Sequence, residues 1–203
     1  MATFSRPGVF VQEVPVAQTI QLADNGAAVG AFVGFLSKGP TNRPILVTSW
    51  RKFQATFGDV NDVFPTTWAV YNFFANGGNS CYIKRVTGAS AAQSSVTLTD
   101  SSSSNLATLL IKAANSGSWG NSLAVTVSNS SAPGRFTLYV HQQISGQSVL
   151  VEQFTDLTMS STDPRYAISY INASSQFIIA IDDYSASVAP TNNPIADGTL
   201  HAL

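Results

Sequence analysis

Trp68-Ala69-Val70-Tyr71-Asn72-Phe73-Phe74-Ala75-Asn76-Gly77-Gly78-Asn79-Ser80-Cys81-Tyr82-Ile83-Lys84-Arg85-Val86 decides the fold of this chain. Phe64, Trp68, Tyr71 and Ala75 recur at helical spacing, which predicts an aromatic helix from about Thr66 whose aromatics read as core rather than as a ligand site. Gly77 and Gly78 supply the backbone freedom that a helix C-terminus needs. A strand then follows at once, with Tyr82 and Lys84 alternating against Ile83 and Arg85. Any α+β domain could contain a helix that feeds directly into a strand, and the neighbouring segments make this one informative.

Working outward, Ala27 to Leu36 reads as a strand apolar on both faces, as in a sheet covered on both sides. Gly26, Gly30 and Gly34 stand four apart. The eleven residues from Gly26 to Leu36 fall short of the roughly twenty that a membrane span needs, so these glycines read as close-packing points. Lys38-Gly39-Pro40 ends the strand, and Ile45-Leu46-Val47 is another. Ser49 is placed to cap a helix whose Trp50, Phe53 and Phe57 form one buried stripe, closed by Gly58. Upstream, Arg6-Pro7-Gly8 fixes a bend, Val9, Phe10 and Val11 start a short strand, and Asp24-Asn25-Gly26 is a turn.

Beyond residue 90 the character changes. Ala89 to Gln93 and Ser101 to Ser104 are small-residue runs. Strand-like runs follow at Ala107–Lys112, Leu123–Val127, Phe136–Gln142, Val149–Phe154 and Phe177–Ile181. Ser145-Gly146-Gln147 predicts a hairpin between two of them. Asp163-Pro164 starts a short helix with Ala167, Tyr170 and Ile171 on one face. From Ser185 onward the chain is loose, with Pro190 and Pro194.

Of the 203 residues 44% are hydrophobic and only 10% charged, against about a quarter in an ordinary globular domain. Such a surface suits either a protein covered by neighbours or a β-rich domain with an uncharged polar coat. The net charge of −1 leaves no electrostatic footprint for nucleic acid. Residues 1–90 carry seven basic against four acidic side chains (+3), and residues 91–203 three against seven (−4). Opposite signs of this kind could help copies pack together. The lone Cys81 excludes an intrachain disulfide and reads as a buried thiol. Met1 to Glu13 lacks the apolar core of a signal peptide, so folding in a reducing cytoplasm is expected.

No catalytic constellation emerges. His141 and His201 have no partners at metal-ligand spacing. No nucleophile elbow or phosphate loop is present. Asp182-Asp183 with Asp156 or Asp163 lacks the spacing of a calcium loop. Asn129-Ser130-Ser131 and Asn172-Ala173-Ser174 match the glycosylation pattern, with no secretion signal to put it to use. The expectation is a non-enzyme without cofactor, metal or membrane insertion.

Several segments carry a resemblance by their order: Arg6-Pro7-Gly8-Val9-Phe10-Val11, Phe32-Val33-Gly34, Lys38-Gly39-Pro40, Ile45 to Trp50, the Trp68 to Val86 unit, Gly117-Ser118-Trp119-Gly120-Asn121, Val151 to Met159, and Arg165-Tyr166 leading to Ile171-Asn172. Together these closely resemble the tail sheath proteins of contractile phage tails and related contractile injection systems. The resemblance implies an α+β architecture in four parts. Residues 1–25 would be an extended N-terminal arm whose Val9, Phe10 and Val11 make an intersubunit strand. Residues 26–90 would be the α/β portion of an inner sheath domain, and 91–190 a β-rich outward-facing insertion. Residues 191–203 would be an exit segment toward a further C-terminal domain, Asp197-Gly198 resembling its opening.

The function implied is that of a structural subunit of a virion tail, assembled in the host bacterial cytoplasm. Copies would polymerise as a helical sleeve around the tail tube, with baseplate and tail terminator as further partners. Contraction would drive the tube through the target envelope. The alternative is a β-rich binding or decoration module of a particle, for which Trp119, Tyr139 and Tyr166 are the candidate contacts.

Overall fold

The computed structural model describes residues 29–100, 106–182 and 193–203. Its elements, in three sheets, make the fold α+β. Two separate hydrophobic clusters organise it, one in each of two lobes.

The first lobe begins with β1 (Val29–Phe35), followed by β2 (Ile45–Val47), α1 (Trp50–Phe57), α2 (Pro65–Ala75) and β3 (Ser80–Val86). β3 lies between the others, parallel to β1 and antiparallel to β2. Local chemistry sets the helix ends. The Ser49 hydroxyl accepts from Lys52 N at 3.2 Å, capping α1 as the sequence predicts. Gly58 ends α1 at φ 98°. At the end of α2, Gly78 N donates to Phe73 O (2.9 Å) and Gly77 N to Phe74 O (3.2 Å), with Gly77 at φ 89°. These two bonds form a Schellman closure.

Both helices cover one face of the sheet. Phe53, Phe57, Val70, Cys81, Ile83 and Val47 are fully buried there. β1 meets α2 at its glycines: a Cβ on Gly30 would lie 3.1 Å from the Phe73 ring, and one on Gly34 would overlap the Thr66 side chain. The close-packing role read for these glycines thus belongs to the helix-facing side.

Two expectations are corrected here. β1 is not covered on both sides, because Val29, Ala31, Val33 and Phe35 are exposed. The stripe Phe64, Trp68, Tyr71, Ala75 is not the buried face of α2. Thr67 and Val70 are buried, while Trp68 and Tyr71 are exposed. The helix is apolar around most of its circumference, so hydrophobicity alone leaves two candidate faces. Thr67 wins a buried place because its hydroxyl donates to Phe64 O at 2.8 Å and accepts from Asn61 N at 3.0 Å. Trp68 instead donates its indole N–H to Asp62 at 3.1 Å and packs edge-on to Tyr71.

The second lobe contains β4 (Ser95–Thr99), β5 (Ala107–Ala113), a 3-10 turn at Ser118–Ser122, β6 (Leu123–Asn129), β7 (Phe136–Ile144), β8 (Gln147–Leu157), α3 (Ala167–Ser174), β9 (Ile178–Asp182) and β10 (His201–Ala202). One sheet has the order β10-β6-β7-β8 and the other β4-β5-β9, with neighbouring strands antiparallel throughout. Their inner faces share a single core that includes Leu109, Ile111, Val125, Leu138, Phe154 and Ile178.

All five strands expected in this region are present; four are longer or shifted by a residue or two, and β8 extends past the expected Val149–Phe154 at both ends. β4 and β10 are additional. α3 starts at Ala167 rather than at Pro164, since Tyr166 N bonds Asp163 O in a preceding turn. Its Ala167 and Ile171 are buried as expected, and Tyr170 packs on the core. Residues 193–203 run along the lobe. Ile195 N donates to Thr99 O, Gly198 N to Val127 O and Leu203 N to Leu123 O, at 2.9–3.1 Å.

Candidate assembly surface

The feature most in need of a partner is the sheet face that the helices leave open. Register places Ala31 beside Tyr82, Val33 beside Lys84, Phe35 beside Val86, and Leu46 on the other side of Tyr82. These side chains therefore project together. Val33 is 71% exposed and Phe35 58%, and Val29, Leu46, Tyr82 and Val86 are exposed beside them. Lys84 supplies the one charge on these strands' open face, and its ammonium donates to Thr41 O at 2.7 Å. A parallel strand pair normally has both faces covered. Burying a side chain such as Phe35 or Val33 is worth on the order of 1.5–3 kcal/mol. Among the described residues β1 is also an edge strand, with its outer hydrogen-bonding side unpaired.

The intersubunit strand expected at Val9, Phe10 and Val11 lies outside the described residues. Elsewhere, the residues weighed for chemistry lie on strands and in turns. His141 sits on β7 opposite Leu150. His201 sits on β10, 3.8 Å from Asp197. Among the described residues no group of three or more His, Cys, Asp or Glu side chains could hold a metal ion. Of the acidic candidates, Asp163 is held by Arg135 at 2.6 Å, Asp156 by the Ser130 hydroxyl, and Asp182 accepts from Tyr166 Oη at 3.2 Å. Asp183 lies outside the described residues.

Asn172 uses its amide in a two-way bond with Ala180 at 2.8 Å, so it is part of the α3–β9 packing. Cys81 is fully buried, and that burial pushes its thiol pKa up. Of the aromatics named for the binding-module alternative, Trp119 packs against the second core with its indole N–H on Asn115 O, and Tyr166 is tied to Asp182.

No helix among the described residues is long and apolar enough to cross a membrane. The open face was only half legible in sequence: the apolar run was clear, but which of its sides stays bare depends on which helices pack.

The arrangement is that of a mixed α+β protein whose small three-stranded sheet is covered on one face. Its sequence matches no known family profile and no curated protein. Its fold, however, is similar to that of solved sheath tail proteins. One is from Listeria innocua, at 13% identity and a TM-score of 0.52, covering 86% of this chain and 34% of that one. Another is from Desulfitobacterium hafniense, at 13% identity and a TM-score of 0.50, covering 95% and 39%. The chain thus spans between a third and two fifths of the length of the sheath tail proteins it matches.

Proposed function

We propose that this chain is the N-terminal portion of a contractile tail sheath subunit. The observation that carries the reading is the apolar face of β1 and β3, which no element among the described residues covers, in a fold similar to that of sheath tail proteins. Such a face is costly in a free molecule and useful in a crowded assembly. The low charge content agrees with a surface largely covered by neighbours.

In this reading many copies form a sleeve around a rigid tube through head-to-tail contacts that do not close, which gives an open helix. The sleeve is assembled in an extended state and repacks into a shorter, wider one. The protein hydrolyses nothing. The work comes from the difference in interface free energy between two packings. Val9, Phe10 and Val11 supply a strand that adds to a neighbour's sheet and links copies while their bodies move. The tail tube, baseplate and tail terminator are the other partners, and a virion tail the location.

Electron microscopy of the native particle, or of the full reading frame overexpressed, tests this directly. Striated sleeves are expected, and dispersed monomers from a complete reading frame would refute it. The linkage role has its own test. Phe10→Pro removes a ladder donor, so sleeves should fail to polymerise while circular dichroism stays that of the folded body. Sleeves of normal length would sink the linkage role alone.

A further inference from the structure

The chain passes from the first lobe to the second once among the described residues, between β3 and β4. One side chain among the described residues hydrogen-bonds to both lobes. Arg85, at the end of the buried face of β3, is only 3% exposed. Its Nε donates to Leu36 O at 2.9 Å and its Nη1 to Gly39 O at 2.8 Å. Its Nη2 donates to Ser37 O at 3.3 Å and to Ser116 O at 2.8 Å. The first three acceptors lie on the loop after β1, in the first lobe. The fourth lies in the second lobe, just before the 3-10 turn.

Every one of these acceptors is a backbone carbonyl. A planar guanidinium can span four such groups at fixed angles, and an ammonium cannot. The second lobe is shaped to admit it. Gly117 has φ +126°, and a Cβ there would stand 2.8 Å from Arg85 Nη2 and 3.3 Å from Ser37 O. The same loop is held at a second point. Lys38 Nζ lies 5.6 Å from the centroid of the Phe177 ring, next to β9. Beside the joint is a cleft of about 510 Å³, lined by Pro40, Thr41 and Asn42 on one side and by Gln93, Asn115 and Ser116 on the other. The cleft leaves room for the lobes to close further or swing.

We infer that Arg85 is the pin of an inter-lobe joint, setting the angle between two bodies that each keep their own core. Releasing it frees the angle without unfolding either lobe. The inference does not depend on the sheath reading.

Spin labels at Ala55 on α1 and Gln153 on β8, both exposed, report the angle as a distance distribution by pulsed electron resonance. Dilution with unlabelled chain removes signals between copies, and buried Cys81 stays unlabelled under native conditions. In the unmodified chain one narrow peak is expected. Arg85→Gln, Arg85→Lys and Gly117→Ala should each broaden and shift it, Lys38→Met less so. Hydrogen exchange in the two cores should stay as in the parent chain. Distributions superimposable on the parent for Arg85→Gln and Gly117→Ala would overturn the inference. Should Arg85→Gln unfold the first lobe, Gly117→Ala and Lys38→Met decide, because neither alters a side chain of the β3 core. An unchanged peak in both would again overturn it.

Discussion

Asp163 shows how much of this molecule's electrostatics is built locally. Its carboxylate accepts from Arg165 N at 2.8 Å and from Arg135 Nη2 at 2.6 Å. The backbone bond from Arg165 is the larger cause, followed among the favourable ones by the nearby Arg135 charge, and together they hold the carboxyl below its usual pKa. A carboxyl depressed in the folded state contributes stability that is fully present above its unfolded pKa, about 3.9. That contribution is lost as pH falls through the folded value. Melting temperature should therefore drop on acidification below about pH 4. Asp163→Asn should melt lower than the parent at neutral pH and have a flatter acid limb. Parallel acid limbs would show that Asp163 contributes nothing. At this scale the sequence was legible only where chemistry is local. Ser49 capping a bond three residues away could be read. The pairing of Arg135 with Asp163, or of Arg85 with Ser116, joins residues 28 and 31 positions apart, and no spacing announces such contacts.

Among the elements, the β7–β8 hairpin turns on Ser145 and Gly146, at φ 52° and 79°. Two consecutive positive φ values give the turn whose twist matches the strands it joins. Gly146 adopts this without cost, but a non-glycine residue there pays roughly 1–2 kcal/mol. Asn tolerates the left-handed region better than most residues. Ser145→Asn should raise the urea midpoint by the equivalent of a few tenths to about 1 kcal/mol with an unchanged slope. Ser145→Val should lower it, because a β-branched side chain tolerates positive φ worse than serine does. The turn itself was readable because its chemistry sits in two adjacent residues. β4 escaped because Ser95-Val96-Thr97-Leu98-Thr99 lies among serines and alanines that mask its alternation. β10 is two residues long, and only its partner β6 makes it a strand. The face of α2 was misjudged because aromatic spacing pointed one way and the hydrogen bonds of Thr67 the other.

For the whole molecule, the order of weak segments along the chain pointed to the sheath fold when no single motif and no composition did. The solved sheath tail proteins of similar fold share only 13% identity with this chain, too little for any one side chain to carry the likeness. What could not be read was the incomplete covering of the first lobe, which depends on how many layers pack on one sheet. This bare face yields the last prediction. Val33 and Phe35 neighbour each other on alternate positions of β1, so changing both to Thr keeps strand propensity and removes the largest apolar contribution. Circular dichroism of Val33→Thr/Phe35→Thr should match the parent, since both side chains are exposed rather than part of the buried cluster. Concentration-dependent association in sedimentation and binding of an apolar dye should both fall. In a full reading frame the same pair should shorten or abolish sleeves, because the face would no longer repay its covering. Sleeves of normal length and stability from the double variant would mean that burying this face contributes nothing to assembly, and it would have to be abandoned as the basis of assembly.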